Sequence, residues 1–412
     1  MAIAIDRLKG EKMKLSNRIQ EVEYSAVRKL TPYADKAKAE GKKLYALNIG
    51  APDIDVPDVY YDTFKNLKKG PLPYAHAQGL VELREATANY YKNRGIKFDA
   101  KDIYITNGAS EALLFTFQSI CDAGDEVLTT DPFYTNYMTV FEQLEVELQA
   151  FKTDPKKGFA LPEVEEIEKN ITDKTVAILL SNPTNPTGAL YSEEEILRIV
   201  DVAKRHDLFI VADEVYREFV YDGNTYKSFG EVEGIEENLV LIDSISKRFG
   251  ACGARIGSIA SKNEEFKDAI NKLCNCRLAA PTLEQMAAAK LYGIDKSYFE
   301  EVNKEYQKRR DVIYEELIKI PGVTVEKPKG AFYVMPKLPV DDTEKFAIWL
   351  IENFDIDGES LMFAPAAGFF KNKEEGKQMV RLAFVLNVDD LRKSMRILRE
   401  GIEAYVRENE ER

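Results

Sequence analysis

The run Leu239-Val240-Leu241-Ile242 ends abruptly in Asp243-Ser244-Ile245-Ser246-Lys247. The chain then passes through Arg248-Phe249-Gly250-Ala251-Cys252-Gly253-Ala254-Arg255-Ile256-Gly257. Consecutive large apolar residues bounded by polar ones read as a strand buried on both faces, because a strand with one wet face would alternate. Five further runs share the pattern: Asp102–Thr106, Glu126–Thr130, Val146–Phe151, Val176–Leu180 and Phe209–Ala212. Between them lie segments of helical spacing, among them Ser110–Cys121, Thr135–Leu144, Glu193–His206 and Glu264–Cys274. The alternation predicts an α/β chain. Its centre is a largely parallel, doubly wound sheet with helices on both faces, covering residues 50 to 290.

The flanks read differently. Residues 15–45 hold two helical pieces and a Gly41 stop. Ser297–Lys319 reads as a charged helix closed by Pro321-Gly322. It is followed by strand-like Val323–Glu326 and Ala331–Met335, a helix over Thr343–Phe354, strand-like Val380–Val385 and a last helix from Asp389. These predict a smaller α+β domain built from 1–49 and 296–412, beside a large cofactor-binding domain over 50–295. A chain of 412 residues suits two cores, since single cores stop growing at roughly 250–300 residues.

Composition removes several classes. With 57 basic and 70 acidic side chains the net charge is −13, which argues against nucleic-acid binding and against docking on anionic membranes. No apolar run approaches the roughly 20 residues needed to span a bilayer, and Met1–Lys14 has no signal-peptide core. Cys121, Cys252, Cys274 and Cys276 suit a reducing compartment, so a cytoplasmic location is expected. Cys274-x-Cys276 is not a zinc spacing, and His76 and His206 are the only histidines. No metal site is expected, and a histidine-based hydrolase has little to work with.

Ligands of open α/β sheets bind beyond the carboxyl ends of the strands, so the residues that follow each run carry the argument. After Ile103-Tyr104-Ile105 comes Thr106-Asn107-Gly108-Ala109-Ser110-Glu111, a glycine turn into a helix. By itself it is a capped helix or an anion site. After Val176–Leu180 comes Ser181-Asn182-Pro183-Thr184-Asn185-Pro186-Thr187-Gly188. Its two Asn-Pro steps make a rigid loop, which either turns the chain or aims an amide. After Phe209–Ala212 come Asp213-Glu214-Val215-Tyr216, an acid whose burial is costly unless paired. Lys247 follows a buried strand, with Arg255 eight residues on; a desolvated lysine near another cation has the lowered pKa that Schiff-base chemistry needs. Together these parts match the needs of pyridoxal phosphate: a lysine for its aldehyde, an acid for its ring nitrogen, donors for its phenolate, and N–H groups with an arginine for its phosphate.

Here the sequence resembles the fold-type I, aspartate-aminotransferase-like pyridoxal-phosphate enzymes of class I/II. The motifs are NIGAPD (48–53), NPTNPTG (182–188), ADEVY (212–216), SISKRFGACGARIG (244–257), GAFYVMP (330–336) and VRLAF (380–384), in order over nearly the whole chain. The resemblance implies that Lys247 forms the Schiff base and shuttles the proton, that Asp213 pairs with the ring nitrogen, and that Asn185 and Tyr216 donate to the ring oxygen. It implies that Gly108, Ala109, Ser110, Ser244 and Arg255 hold the phosphate, and that Tyr134 stacks on the ring, with Phe133 the competitor for that place. It further implies that Arg381 forks the substrate α-carboxylate beside the Gly50 backbone, and that Tyr74 reaches the phosphate of a second subunit in a homodimer.

Two departures bear on specificity. Cys252-Gly253-Ala254 stands where many relatives carry Thr-Gly-Trp, so Cys252 is expected to pack against the pocket. Arg277, in Cys274-Asn275-Cys276-Arg277-Leu278-Ala279-Ala280-Pro281, lies where the resemblance implies groups placed over the substrate side chain from the neighbouring subunit, and is either a second carboxylate anchor or a surface arginine on a helix end. As an anchor it would select aspartate, with 2-oxoglutarate as the amino acceptor. The competing activities are aromatic or alanine aminotransferase and C–S lyase on the same fold. A non-catalytic binding module is disfavoured by the intact Lys247, Asp213, Tyr216 and Arg381.

Overall fold

The computed structural model describes residues 15–22 and 25–410; Met1–Lys14, read above as lacking a signal-peptide core, lies outside the described residues. Seven strands form the main sheet: β1 (Ile103–Thr106), β2 (Glu126–Asp131), β3 (Glu147–Lys152), β4 (Thr175–Ser181), β5 (Phe209–Asp213), β6 (Leu239–Ser244) and β7 (Gly257–Ala260). Their order across the sheet is β1-β7-β6-β5-β4-β2-β3. All neighbours are parallel except β7, which runs antiparallel between β1 and β6. The sequence pattern carried six of these strands. The seventh, Gly257-Ser258-Ile259-Ala260, lacks a long apolar run and follows a glycine-rich loop.

Both faces of the sheet are dry, which explains the unbroken apolar runs. Ile210, Ala212, Leu239 and Leu241 belong to one cluster, with Leu83, Tyr91 and Ile199 from helices Val81–Lys92 and Glu193–Arg205. Val211, Val240 and Ile242 belong to the opposite cluster, with Leu113, Tyr137 and Ile270 from helices Ala109–Ile120, Asn136–Leu144 and Glu264–Arg277. Register aligns the strand ends: Ser181 lies opposite Asp213, and Gly257 lies opposite both Thr106 and Ser244. No described helix is long and apolar enough to cross a membrane.

The flanks supply another core, in which Leu30, Ala34, Tyr45 and Leu47 meet Tyr306, Phe332, Leu350, Leu382 and Leu398. Strand Lys43–Ala46 pairs in parallel with Glu359–Met362, and Val380–Ala383 sits between Ala364–Pro365 and Tyr333–Val334 in an antiparallel sheet. Val323–Glu326, expected as a strand, is not one. Only Thr324 makes an isolated bridge, to Lys337, because the Val323 N–H is spent in the preceding turn on the Ile320 carbonyl. Helices Asn17–Glu21, Thr31–Ala39, Lys296–Leu317, Thr343–Asn353 and Val388–Glu410 stand near their expected places.

Candidate active site

The strand ends open onto a cavity of about 630 Å³. Its wall includes Gly50, Ala109, Ser110, Tyr134, Asn185, Asp213, Tyr216, Ser244, Lys247, Cys252, Arg255 and Arg381. Positions scattered from 50 to 381 therefore share one space.

Asp213 closes β5 and is buried. Tyr137 Oη donates to its Oδ2 at 2.9 Å, from the helix packed on that face. Burial pushes the carboxyl up to about 6, against the Tyr137 hydrogen bond. Lys247 lies in the short helix Ile245–Arg248, capped by Ser244, whose Oγ accepts the Ser246 N–H. The Lys247 ammonium donates to the Gly50 carbonyl at 2.8 Å. Burial holds this amine below the usual lysine value, and the charges of Arg381 and Arg255 push the same way.

Arg381 is buried in strand Val380–Ala383. Its Nη1 donates to Asn185 Oδ1 at 3.0 Å and its Nη2 to the Asn48 carbonyl at 2.5 Å. The guanidinium lies 4.6 Å from the Tyr333 ring centroid, and its Nε has no hydrogen-bond partner among the described residues. Tyr333 Oη is 2.9 Å from Tyr216 Oη, and burial pushes the Tyr333 phenol up to about 12. A side chain at Gly50 would strike Tyr333 Oη, so glycine brings the backbone against the wall.

The phosphate-type turn is a backbone cradle. Gly108 has φ +76° and precedes helix Ala109–Ile120 without a side-chain cap. A Cβ on Gly108 would lie 2.2 Å from Arg255 Nη2, and this φ is one L side chains rarely adopt, so glycine suits the position and leaves room for the guanidinium. Arg255 itself sits at φ +54° and donates from Nη1 to the Cys252 carbonyl at 3.0 Å. Free N–H groups at a helix start and an arginine across them make a donor set suited to a phosphate dianion; the Ser244 hydroxyl beside them donates to the Ile256 carbonyl at 2.9 Å. The buried acid, the desolvated amine and this cradle together fit pyridoxal phosphate.

The structure separates some expected residues. Tyr134 lines the cavity, whereas Phe133 is buried in the core. Cys252 donates weakly to the Ser246 carbonyl at 3.2 Å on the cavity wall. Tyr74 is 81% exposed on a loop and does not line its own chain's cavity. Arg277 is absent from the wall too: its Nη1 bonds Glu111 Oε2 at 2.9 Å and its Nη2 bonds the carbonyls of Ile105 and Ala77. Within its own chain the guanidinium is thus committed to a carboxylate and two carbonyls. The cavity instead carries Arg28, exposed, along with Tyr137 and Tyr333. Sequence reading missed these three. Tyr137 has ordinary core spacing in its helix, Tyr333 lay inside a motif without an assigned role, and Arg28 follows no strand.

The aminotransferase class I and II family model matches residues 42–356. The aspartate aminotransferase of Bacillus subtilis is 29% identical, over 95% of this chain and 100% of its own. The (5-formylfuran-3-yl)methyl phosphate transaminase of Methanocaldococcus jannaschii is 33% identical, over 94% of this chain and 99% of its own. The solved alanine aminotransferase from Pyrococcus furiosus superposes with a TM-score of 0.87 at 29% identity, covering 95% of this chain and 100% of its own.

Proposed function

The chain belongs to the class I and II aminotransferases, and on that premise we propose that it uses pyridoxal phosphate to move an amino group from a dicarboxylic amino acid, aspartate, to a 2-oxo acid, 2-oxoglutarate. The observation that carries the reading is the single cavity in which Lys247, Asp213, Asn185, Tyr216, Arg255 and Arg381 meet. Bound there, pyridoxal phosphate supplies an electron sink for the bond broken at the substrate α-carbon. Asp213 keeps the ring nitrogen protonated, and Asn185 and Tyr216 offer donors to the ring oxygen. Gly108, Ala109, Ser110, Ser244 and Arg255 hold the phosphate, and Tyr134 covers the ring face. Lys247 would carry the proton from the substrate α-carbon to the cofactor C4′ carbon, as base and then acid, a task that its lowered pKa suits. Arg381 forks the α-carboxylate beside Gly50.

The dicarboxylate preference rests on Arg28. With Arg277 committed to Glu111, the arginines on the cavity wall among the described residues are Arg28, Arg255 and Arg381. Arg255 serves the phosphate and Arg381 the α-carboxylate, which leaves Arg28 for the second carboxylate. A neutral or aromatic donor is the second reading, favoured by Val27, Ile49 and Leu113 on the same wall. Exposed Tyr74, with Leu67 and Leu72 exposed nearby, supports a homodimer in which that loop meets a second copy. We read residues 50–295 as the large domain, 1–49 and 296–412 as the small one, and a cytoplasmic setting, which the four free cysteines suit.

Steady-state rates with a panel of amino donors test the reading. Aspartate or glutamate is expected to exceed alanine and phenylalanine in kcat/KM. A neutral donor in first place removes the dicarboxylate assignment.

A further inference from the structure

Arg277 has no place in the cavity, yet it is built firmly into the wall behind the phosphate cradle. It is the last residue of helix Glu264–Arg277, where a cation suits the helix end. Its guanidinium ties together three segments: Glu111 in the first turn of helix Ala109–Ile120, Ile105 in β1, and Ala77 in the loop that carries Tyr74. Both side chains of the Arg277–Glu111 pair are about 15% exposed, so water screens the pair weakly.

Glu111 is the third residue of its helix, and its Oε2 also accepts the Asn107 N–H at 2.8 Å, just before Gly108. An acid in the first turn ordinarily favours a helix. At a helix start that must also receive a dianion, the same charge opposes the ligand. Arg277 meets that carboxylate at 2.9 Å and cancels it. We infer that Arg277 is a positioning residue for the phosphate end of the site: it neutralises Glu111 and fixes the Thr106–Ser110 turn, so that the helix start can take a phosphate dianion. This rests on the pyridoxal phosphate reading above.

The test compares two probes on the cofactor-free full chain, pyridoxal phosphate and pyridoxal, by equilibrium dialysis. Arg277→Met is expected to weaken pyridoxal phosphate about tenfold, as an uncancelled nearby charge would, while pyridoxal changes less than about twofold. The Arg277→Met/Glu111→Gln double variant is expected to recover most of the loss, because the offending charge is gone. Glu111→Gln alone is expected to bind pyridoxal phosphate at least as tightly as the parent, which keeps the inference testable if Arg277→Met fails to fold. Equal loss of both probes, no recovery in the double variant, or weaker binding in Glu111→Gln overturns it. A parent protein that does not prefer pyridoxal phosphate to pyridoxal would instead refute the cofactor reading itself.

Discussion

Two sets of buried charges lie one residue apart in the chain and on opposite faces of the sheet. Strand alternation explains the split: Asp213 and Ser244 share one face, Glu214 and Asp243 the other. On the second face, Arg217 pairs with Glu214 at 3.0 Å and with Asp243 at 3.1 Å, and Arg248 closes on the other Asp243 oxygen. Tyr91 Oη adds a bond to Asp243 at 3.1 Å, and Ser228 and the Phe229 N–H satisfy Glu214. That quartet is neutral, and its side chains are at most 1% exposed. On the first face the charged groups hydrogen-bond to neutral ones: Asp213 to a phenol, Lys247 to a carbonyl, Arg381 to an amide and a carbonyl. A buried charge met by an opposite charge holds the fold. A buried charge met only by dipoles is poised for a ligand, and its pKa moves accordingly.

Breaking the first face should cost function before it costs stability. Lys247→Ala is expected to abolish transamination and all borohydride-trappable attachment of pyridoxal phosphate, scored by mass spectrometry, in a chain that still unfolds cooperatively. Retained turnover would remove Lys247 from its role. Breaking the second face should do the reverse. Asp243→Asn leaves Arg217 with Glu214 alone and strips buried Arg248 of its acid, and urea unfolding should show a loss of about 3–5 kcal/mol; a loss under about 1 kcal/mol would mean the quartet does not hold the fold.

Asp213→Asn sharpens the contrast, because it should hurt one property and help the other. Activity should fall about 100- to 1000-fold. Burial pushes the folded carboxyl up from its ordinary 3.8 to about 6. Across that window the folded state binds the extra proton, so unfolding free energy falls as pH rises. The cofactor-free Asn variant lacks that penalty. It should exceed the parent by about 2–3 kcal/mol at pH 8 and match it below the reference value. An advantage that is the same at both pH values would contradict the assignment. The smallest expected effect is at the exposed Arg28: Arg28→Ala should raise KM for aspartate about tenfold and leave alanine unchanged.

Much of the first face was readable in the sequence, because strand ends announce themselves. Thr106, Ser181, Asp213 and Ser244 each lie at the end of an apolar run, and the register sets Ser181 level with Asp213 and Thr106 level with Ser244 across Gly257. What escaped was set by contacts distant in sequence. Strand β7 is short and begins at a glycine, so periodicity had nothing to count. Tyr137 looks like any core aromatic until Asp213, 76 residues away, meets its hydroxyl. The Arg277–Glu111 pair spans 166 residues, so Arg277 on its own was open to two readings. Glu214 and Arg248 sit within the motifs and Arg217 directly follows one, yet their mutual pairing depends on which face of the sheet each side chain takes.

If this cavity runs half of a transamination, a single turnover without acceptor reveals it. The direct measurement loads the protein with pyridoxal phosphate, adds L-aspartate with no oxo-acid acceptor, and quantifies the products by chromatography after one turnover. The account predicts one equivalent each of oxaloacetate and pyridoxamine phosphate per chain. Recovery of unchanged pyridoxal phosphate after exposure to every amino acid tried would contradict it.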